Sequence, residues 1–188
     1  MTKEEISKEI IEVGSRFVNL FETKDNAEWR FIIDPSKGKA ESEALYSEMK
    51  KSGWQAGWPY CMAFSEAIWR MAYQNLNAPK DVVAEITQKL NPSVMSSYKN
   101  FKKSITRNSE PGSIFFMQKG STGNGHAGIV VGCDGKSIAT LEANTSPGKA
   151  VSAEADRNGD GVYKKVRTLD FTKKPGLCLL GFLNPIVW

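Results

Sequence analysis

The hydrophobic period of this chain changes at Pro111-Gly112. Before that point apolar residues recur at three- and four-residue steps, the spacing of an amphipathic helix. Ile6, Ile10, Val13, Phe17 and Leu20 predict a helix over 2–21, and a second runs from about Ala40 to Lys51 with Gly53 just past its end. A third begins at Cys61 and carries Phe64, Ile68 and Met71 on one stripe, and 81–90 and 95–103 are shorter helical candidates. The stretch between the first two helices reads as irregular around the turn signal Asp34-Pro35-Ser36-Lys37-Gly38. After Pro111-Gly112 the runs are short and strand-like. Ile114–Met117 reads as a buried strand, and His126–Cys133 and Ser137–Asn144 flank the hairpin signal Asp134-Gly135. Val162–Leu169 and Cys178–Leu183 follow, with Gln118–Gly125 as a glycine-rich loop. Helices first and strands second predict an α+β fold, N-terminal helices packed on an antiparallel sheet. The 188 residues suit one domain, with 1–55 as a helical N-terminal part and 56–185 as its core.

Charge and cysteine usage exclude several classes of function. The formal charge is +4, and the basic knots are only pairs: Lys102-Lys103, Lys164-Lys165 and Lys173-Lys174. Nucleic-acid binding would call for a basic stripe, so no nucleic acid is expected as partner. A mildly basic protein would still be drawn to an anionic polymer. Nothing approaches the roughly 18-residue apolar run of a membrane span, so no membrane partner is expected. The start of the chain has no apolar core or cleavage signature, so it reads as made in the cytoplasm without a Sec signal peptide. Three cysteines is an odd number, and Cys133 and Cys178 sit in apolar runs, where a free thiol behaves as a small buried hydrophobe. There is no Cys-x-x-Cys and no second histidine, so neither a metal nor a cofactor is expected. A monomer is the simplest reading.

The remaining cysteine, Cys61, opens the third helix, where the positive end of the helix dipole favours thiolate over thiol. The chain's one histidine, His126, is its only side chain with an ordinary pKa near neutrality. Brought together, they make a nucleophile and its general base. Glu142 and Asn144 follow sixteen and eighteen residues after His126, and either could orient the imidazole. Strand parity makes this a geometric test. A two-residue turn at Asp134-Gly135 would pair His126 with Ala143 and put Glu142 on the opposite face. A three-residue loop, or a one-residue bulge, would pair His126 with Asn144 and bring Glu142 to the same face. Gln55, six residues before Cys61, could donate to an oxyanion beside the Cys61 N–H. Trp54, Trp58 and Tyr60 read as the lining of an aromatic groove. Asp156, Asn158 and Asp160 resemble half a calcium loop, but position twelve is Arg167 where a bidentate Glu belongs, so a polar turn is the better reading.

Five linked motifs carry a family resemblance: Trp58-Pro59-Tyr60-Cys61-Met62-Ala63-Phe64, Pro111–Phe116, Gly125-His126-Ala127-Gly128-Ile129-Val130, Leu141–Thr145 and Gly159–Tyr163. In order and content they resemble the CHAP family, cysteine- and histidine-dependent amidohydrolases and peptidases with a papain-like core. The resemblance implies Cys61 as nucleophile, His126 as base and Glu142 as orienting acid with Asn144 assisting. It also implies peptidoglycan of the bacterial cell wall as substrate, cut at an amide bond by an endopeptidase or amidase. Action on the wall would then follow release, injection or delivery by a phage. Ser113, Tyr60 and Ala143 depart from the residues common in the family, without removing a catalytic atom. A papain-like amidase acting on a small non-murein amide and a catalytically weak wall-binding module are the alternatives.

Overall fold

An N-cap fixes where the chain's first helix begins. Thr2 accepts a hydrogen bond from the Glu5 amide at 3.2 Å, and the Glu5 carboxylate accepts one from the Thr2 amide at 2.7 Å. This reciprocal pair is a capping box that satisfies two otherwise orphaned donors. Helix α1 (Lys3–Ser15) buries Ile6, Ile10 and Val13 and stops well short of residue 21. Asn19 turns the chain with φ 69°, a left-handed conformation that Asn tolerates better than most residues. Leu20–Lys24 then forms strand β1, paired with β2 (Glu28–Phe31) and, through Phe21, with Gly161. The region expected to be helical up to residue 55 therefore carries two strands. Phe17 and Leu20 are both fully buried, so their spacing signalled burial correctly but not conformation.

The computed structural model describes residues 1–24, 28–31, 38–147, 159–173 and 175–188. The turn signal at 34–38, apart from Gly38, lies outside them. Helices α2 (Lys39–Lys51), α3 (Cys61–Asn75), α4 (Lys80–Lys89) and α5 (Val94–Asn100) follow, close to the boundaries the sequence predicts. After α5 come strands β3 (Ile105–Thr106), β4 (Ile114–Lys119), β5 (Gly125–Cys133), β6 (Ser137–Thr145), β7 (Gly161–Thr168) and β8 (Leu177–Leu183). All pair antiparallel in one sheet of order β2-β1-β7-β6-β5-β4-β8-β3. The fold is α+β, and no helix among the described residues is long and apolar enough to cross a membrane.

Strand alternation gives the sheet two different faces. Ile114, Phe116, Ala127, Ile129, Leu141, Ala143 and Val162 belong to the core shared with the helices. Phe115, Met117, Val130, Ile138, Leu177, Leu179 and Phe182 form a second core, covered in part by Leu169 and Phe171. Pairing places His126 opposite Met117 and Gly128 opposite Phe115, so His126 belongs to the face with the smaller core.

Helix α3 is buried almost all round, the pattern of a central core helix. Its two charged residues are tied to each other and to α2. Arg70 donates to both Glu66 oxygens at 2.8 and 3.2 Å, to the Glu48 carbonyl at 2.6 Å, and to the Glu48 carboxylate. Trp54 and Tyr60, expected in a groove, are instead in the core, packed with Trp29; only Trp58 of the three is exposed. Their rings bury too much apolar surface to be left in water when a neighbouring indole offers a partner. Cys178 is buried as expected. Cys133 is exposed, because β5 runs out into the hairpin there and its sulfur faces the Gly135 amide at 3.3 Å. All three thiols are free.

Removing the cation of the α2–α3 network would leave Glu66, which is 1% exposed, as an uncompensated buried charge. Arg70→Met is expected to cost about 3–5 kcal/mol of stability, read from urea unfolding midpoints.

Candidate active site

Helix α3 begins without a side-chain cap of its own. The amide of its N-cap residue, Tyr60, instead donates to Asn144 Oδ1 of β6 at 2.9 Å. Asn144 can do this because it sits in a β-bulge, with φ 56°, between the pairs Ala143–Val162 and Thr145–Gly161. The contact couples the end of β6 to the start of α3 and sets Cys61, the first helical residue, beside the sheet. The Cys61 carbonyl accepts from the Ser65 hydroxyl at 2.9 Å. Asn144 thus holds the helix that carries Cys61, a different task from orienting the imidazole. The bulge releases it from the strict alternation that would have placed it with Glu142.

His126 and Glu142 meet through a second bulge. The hairpin turns at Gly135 and Lys136, with the Asp134 amide bonded to the Ser137 carbonyl at 3.1 Å. Its first pairs, Cys133–Ile138 and Gly132–Ala139, have the parity that would separate His126 from Glu142. The register then shifts between Val130 and Gly132, and the pairs become Val130–Thr140 and Ile129–Leu141. Extended along the strands, that register sets His126 against Asn144 with Glu142 on the same face. Of the two routes open in the sequence, the bulge is the one realised. His126 Nε2 lies 2.8 Å from Glu142 Oε2.

Gly128 makes the approach possible. A Cβ there would stand 2.9 Å from Glu142 Cγ and 2.8 Å from the Phe115 ring, closer than real Cβ atoms come.

Glu142 has no exposed surface and collects donors on both oxygens. The Thr140 hydroxyl donates to Oε1 at 2.6 Å. Arg167, from β7, donates through Nε to Oε1 at 2.8 Å and through Nη2 to Oε2 at 2.5 Å. An ionised carboxylate only accepts, so the proton between His126 and Glu142 belongs on Nε2. That leaves Nδ1, which is buried and has no hydrogen-bond partner of ordinary geometry among the described residues. The Cys61 thiol is nevertheless close enough for each group to alter the other's ionisation.

Burial pushes the Cys61 thiol up, but the adjoining His126 and its positive charge, with the amides of Ala127 and Met62, bring it below its ordinary value. Burial also opposes charge on His126, yet Cys61 and Glu142 together raise it to about 9. For Glu142, Arg167 and His126 overcome burial and hold the carboxyl well below the usual carboxylate range. The three directions all favour a thiolate–imidazolium pair beside an ionised carboxylate. This arrangement supplies a nucleophile, a proton donor and a group that keeps the donor charged.

The other residues singled out in the sequence fare differently. Gln55 lies exposed in the loop before α3, its carbonyl accepting from the Trp58 amide at 3.1 Å. Asp156 and Asn158 lie outside the described residues. Asp160 accepts from the Tyr163 hydroxyl at 3.1 Å, and Arg167, in the twelfth position of that motif, is bound to Glu142. Sequence reasoning missed Thr140 and Arg167 as ligands of Glu142. Thr140 was within reach of it, standing two residues from Glu142 on the same face. Arg167 was not, because it pairs with Ile138, four residues or about 13 Å of strand from Glu142. Two extended side chains close that distance.

A family model of the CHAP domain matches residues 51–144, half of the chain. The match spans the end of α2 through the Asn144 bulge and so contains Cys61, His126 and Glu142. The chain belongs to the CHAP domain family, whose members have hydrolase activity as cysteine- and histidine-dependent amidohydrolases and peptidases, and membership implies a papain-like fold. Neither the curated proteins nor the solved structures hold a match.

The imidazolium sets the alkaline edge of function. The rate constant kcat/KM for hydrolysis is expected to fall as pH rises through about 9, where His126 loses its proton. Iodoacetamide should alkylate Cys61 at a pH below the ordinary thiol range of about 8.5. Rates of both reactions across pH check the two statements.

Proposed function

We propose that this protein cleaves an amide bond of peptidoglycan, as an endopeptidase or N-acetylmuramoyl-L-alanine amidase, through a Cys61 acyl-enzyme. The observation that carries the reading is the buried His126–Glu142 contact at 2.8 Å beside a thiol at a helix N-terminus, within the matched family region. In the reaction the Cys61 thiolate adds to the scissile carbonyl, and the oxyanion is held by the Cys61 N–H at the start of α3. The imidazolium gives its proton to the leaving amine as the C–N bond breaks and a thioester remains. Water then gives a proton to neutral His126 as its oxygen bonds to the thioester carbon; the C–S bond breaks, a carboxylic acid leaves, and the Cys61 thiolate is restored beside the His126 imidazolium. Glu142 stays ionised throughout and holds the ring.

The distribution of charge supports an anionic wall as the surface on which this happens. Of 25 basic and 21 acidic residues, six basic and one acidic fall between residues 86 and 133, leaving 19 and 20 elsewhere. The one acid, Glu110, is engaged by Lys3 at 2.8 Å. Lys99, Lys102 and Lys103 are exposed along α5 and the short turn after it, and Arg107 is exposed just past β3. Helix α5 packs on β4 and β5 at the residue before His126: Val94 Cγ1 is 2.8 Å from where a Cβ on Gly125 would stand, and the Tyr98 and Phe116 rings lie 5.9 Å apart. A basic rim beside the site would hold a polyanion near the thiolate.

Digestion of purified sacculi, followed by mass spectrometry of the fragments, tests the reaction and identifies the bond. New amine and carboxyl ends at one amide position are expected, and Cys61→Ala should lower their release at least about 10³-fold while keeping the fold. Intact sacculi after prolonged digestion by the parent protein would remove peptidoglycan as substrate. The triple variant Lys99→Glu, Lys102→Glu, Lys103→Glu should digest sacculi more slowly at low salt and lose most of that difference near 1 M salt, where charges are screened within about 3 Å. Its Cys61 alkylation rate should match the parent's.

A further inference from the structure

Arg167 makes two hydrogen bonds to a carboxylate that already serves His126, and its own side chain is only 13% exposed. A guanidinium in that place is not a surface ion pair of small consequence, since both partners have given up most of their water. Its fork matches the carboxylate's two oxygens, so it fixes the plane of the group as well as its charge. Oε2 is shared, accepting from Arg167 at 2.5 Å and from His126 at 2.8 Å. Any rotation that would carry Oε2 away from the imidazole also breaks the Arg167 fork and the Thr140 bond to Oε1.

Resting on the hydrolase reading above, we propose that Arg167 is a positioning residue of the active site: it holds the Glu142 carboxylate ionised and in plane, and so keeps the His126 imidazolium facing Cys61.

The groups that face this centre are few. Helix α3 contributes Cys61, β5 contributes His126, β6 contributes Glu142 with the Thr140 hydroxyl, and β7 contributes Tyr163 and Lys165 beside Arg167. Strand β4 brings Phe115, whose ring lies 6.0 Å from the imidazole, and Met117. Lys165 also lies on this face and donates to Thr145 Oγ1 at 3.2 Å and the Ser146 carbonyl at 3.1 Å, toward the end of β6. Without Arg167, burial would favour the uncharged form of Glu142, the proton moving from imidazolium to carboxylate. A neutral imidazole no longer stabilises the thiolate, so Cys61 would ionise only at higher pH.

The test reads Cys61 directly and needs no wall substrate. Alkylation of Cys61 by iodoacetamide is followed against pH in the parent, Arg167→Met and Arg167→Lys, with the labelled residue identified by peptide mass spectrometry. For Arg167→Met the acid limb is expected to move up by about one to two pH units. That corresponds to at least about ten-fold slower labelling below the limb, since each unit is a factor of ten in thiolate. Arg167→Lys, which keeps the charge without the fork, should recover most of the limb position while sacculus hydrolysis stays reduced in kcat with KM little changed. A limb in Arg167→Met that coincides with the parent's overturns the proposal, whatever its unfolding midpoint. Should Arg167→Met fail to fold, Arg167→Gln is measured in the same way, and a coincident limb there has the same meaning. A parent that labels at low pH but leaves sacculi intact would overturn the peptidoglycan reading and leave the role of Arg167 to be decided by the limb.

Discussion

A carboxylate with no exposed surface stays ionised only if its neighbours replace the hydrogen bonds that water would have made. Glu142 has three such neighbours, each from a different structural source: His126 across the hairpin, Thr140 two residues back on its own strand, and Arg167 from β7. The rest of the site depends on that charge. Without it, burial would leave His126 too weak a base to take the proton of a thiol whose ionisation burial also opposes. The order of dependence therefore runs from Arg167 and Thr140 to Glu142, then to His126, and last to Cys61. The reactive sulfur is the end of a chain of compensated burials.

That chain rests on strand parity. A sheet alternates its faces every residue, so one extra residue decides whether two side chains meet or stand back to back. Two bulges make that decision here. The irregularity near Val131 brings Glu142 onto the imidazole face, and the one at Asn144 turns a carboxamide away from strand alternation and onto the amide of Tyr60. Both lie between pairs that are otherwise regular.

These features mark the boundary of what the sequence made legible. The α+β class, the helix beginning at Cys61 and the β5–β6 hairpin could be read from period and turn residues. Cys61, His126 and Glu142 could be singled out as candidates from residue type and order. The parity that joins them could be stated only as a condition, because a bulge has no composition of its own. Arg167 was invisible for a related reason: its partner lies four residues beyond its own pairing position, a relation that exists only once β6 and β7 are in register. Strands β1 and β2 were missed because Phe17 and Leu20 continue the apolar spacing of α1 through a turn. Burial of the right residues at the right interval is compatible with more than one backbone conformation.

The placement of Cys61 shows why two quite different contacts are needed on α3. Along its length the helix is held by apolar packing, which tolerates sliding and rotation better than hydrogen bonds do. The Arg70 fork to Glu66 and Glu48 fixes its rotation against α2, and the Asn144 bond to Tyr60 fixes its first turn against β6. Cys61 lies between these two anchors, next to the second. Its sulfur must approach His126 Nδ1 to within a proton transfer while the opposite ring nitrogen is held by Glu142. An error of about 1 Å in such a contact can cost on the order of 10² in rate. Apolar burial can hold α3 against the sheet, but only directional bonds at its start and at Arg70 can set the sulfur to that tolerance.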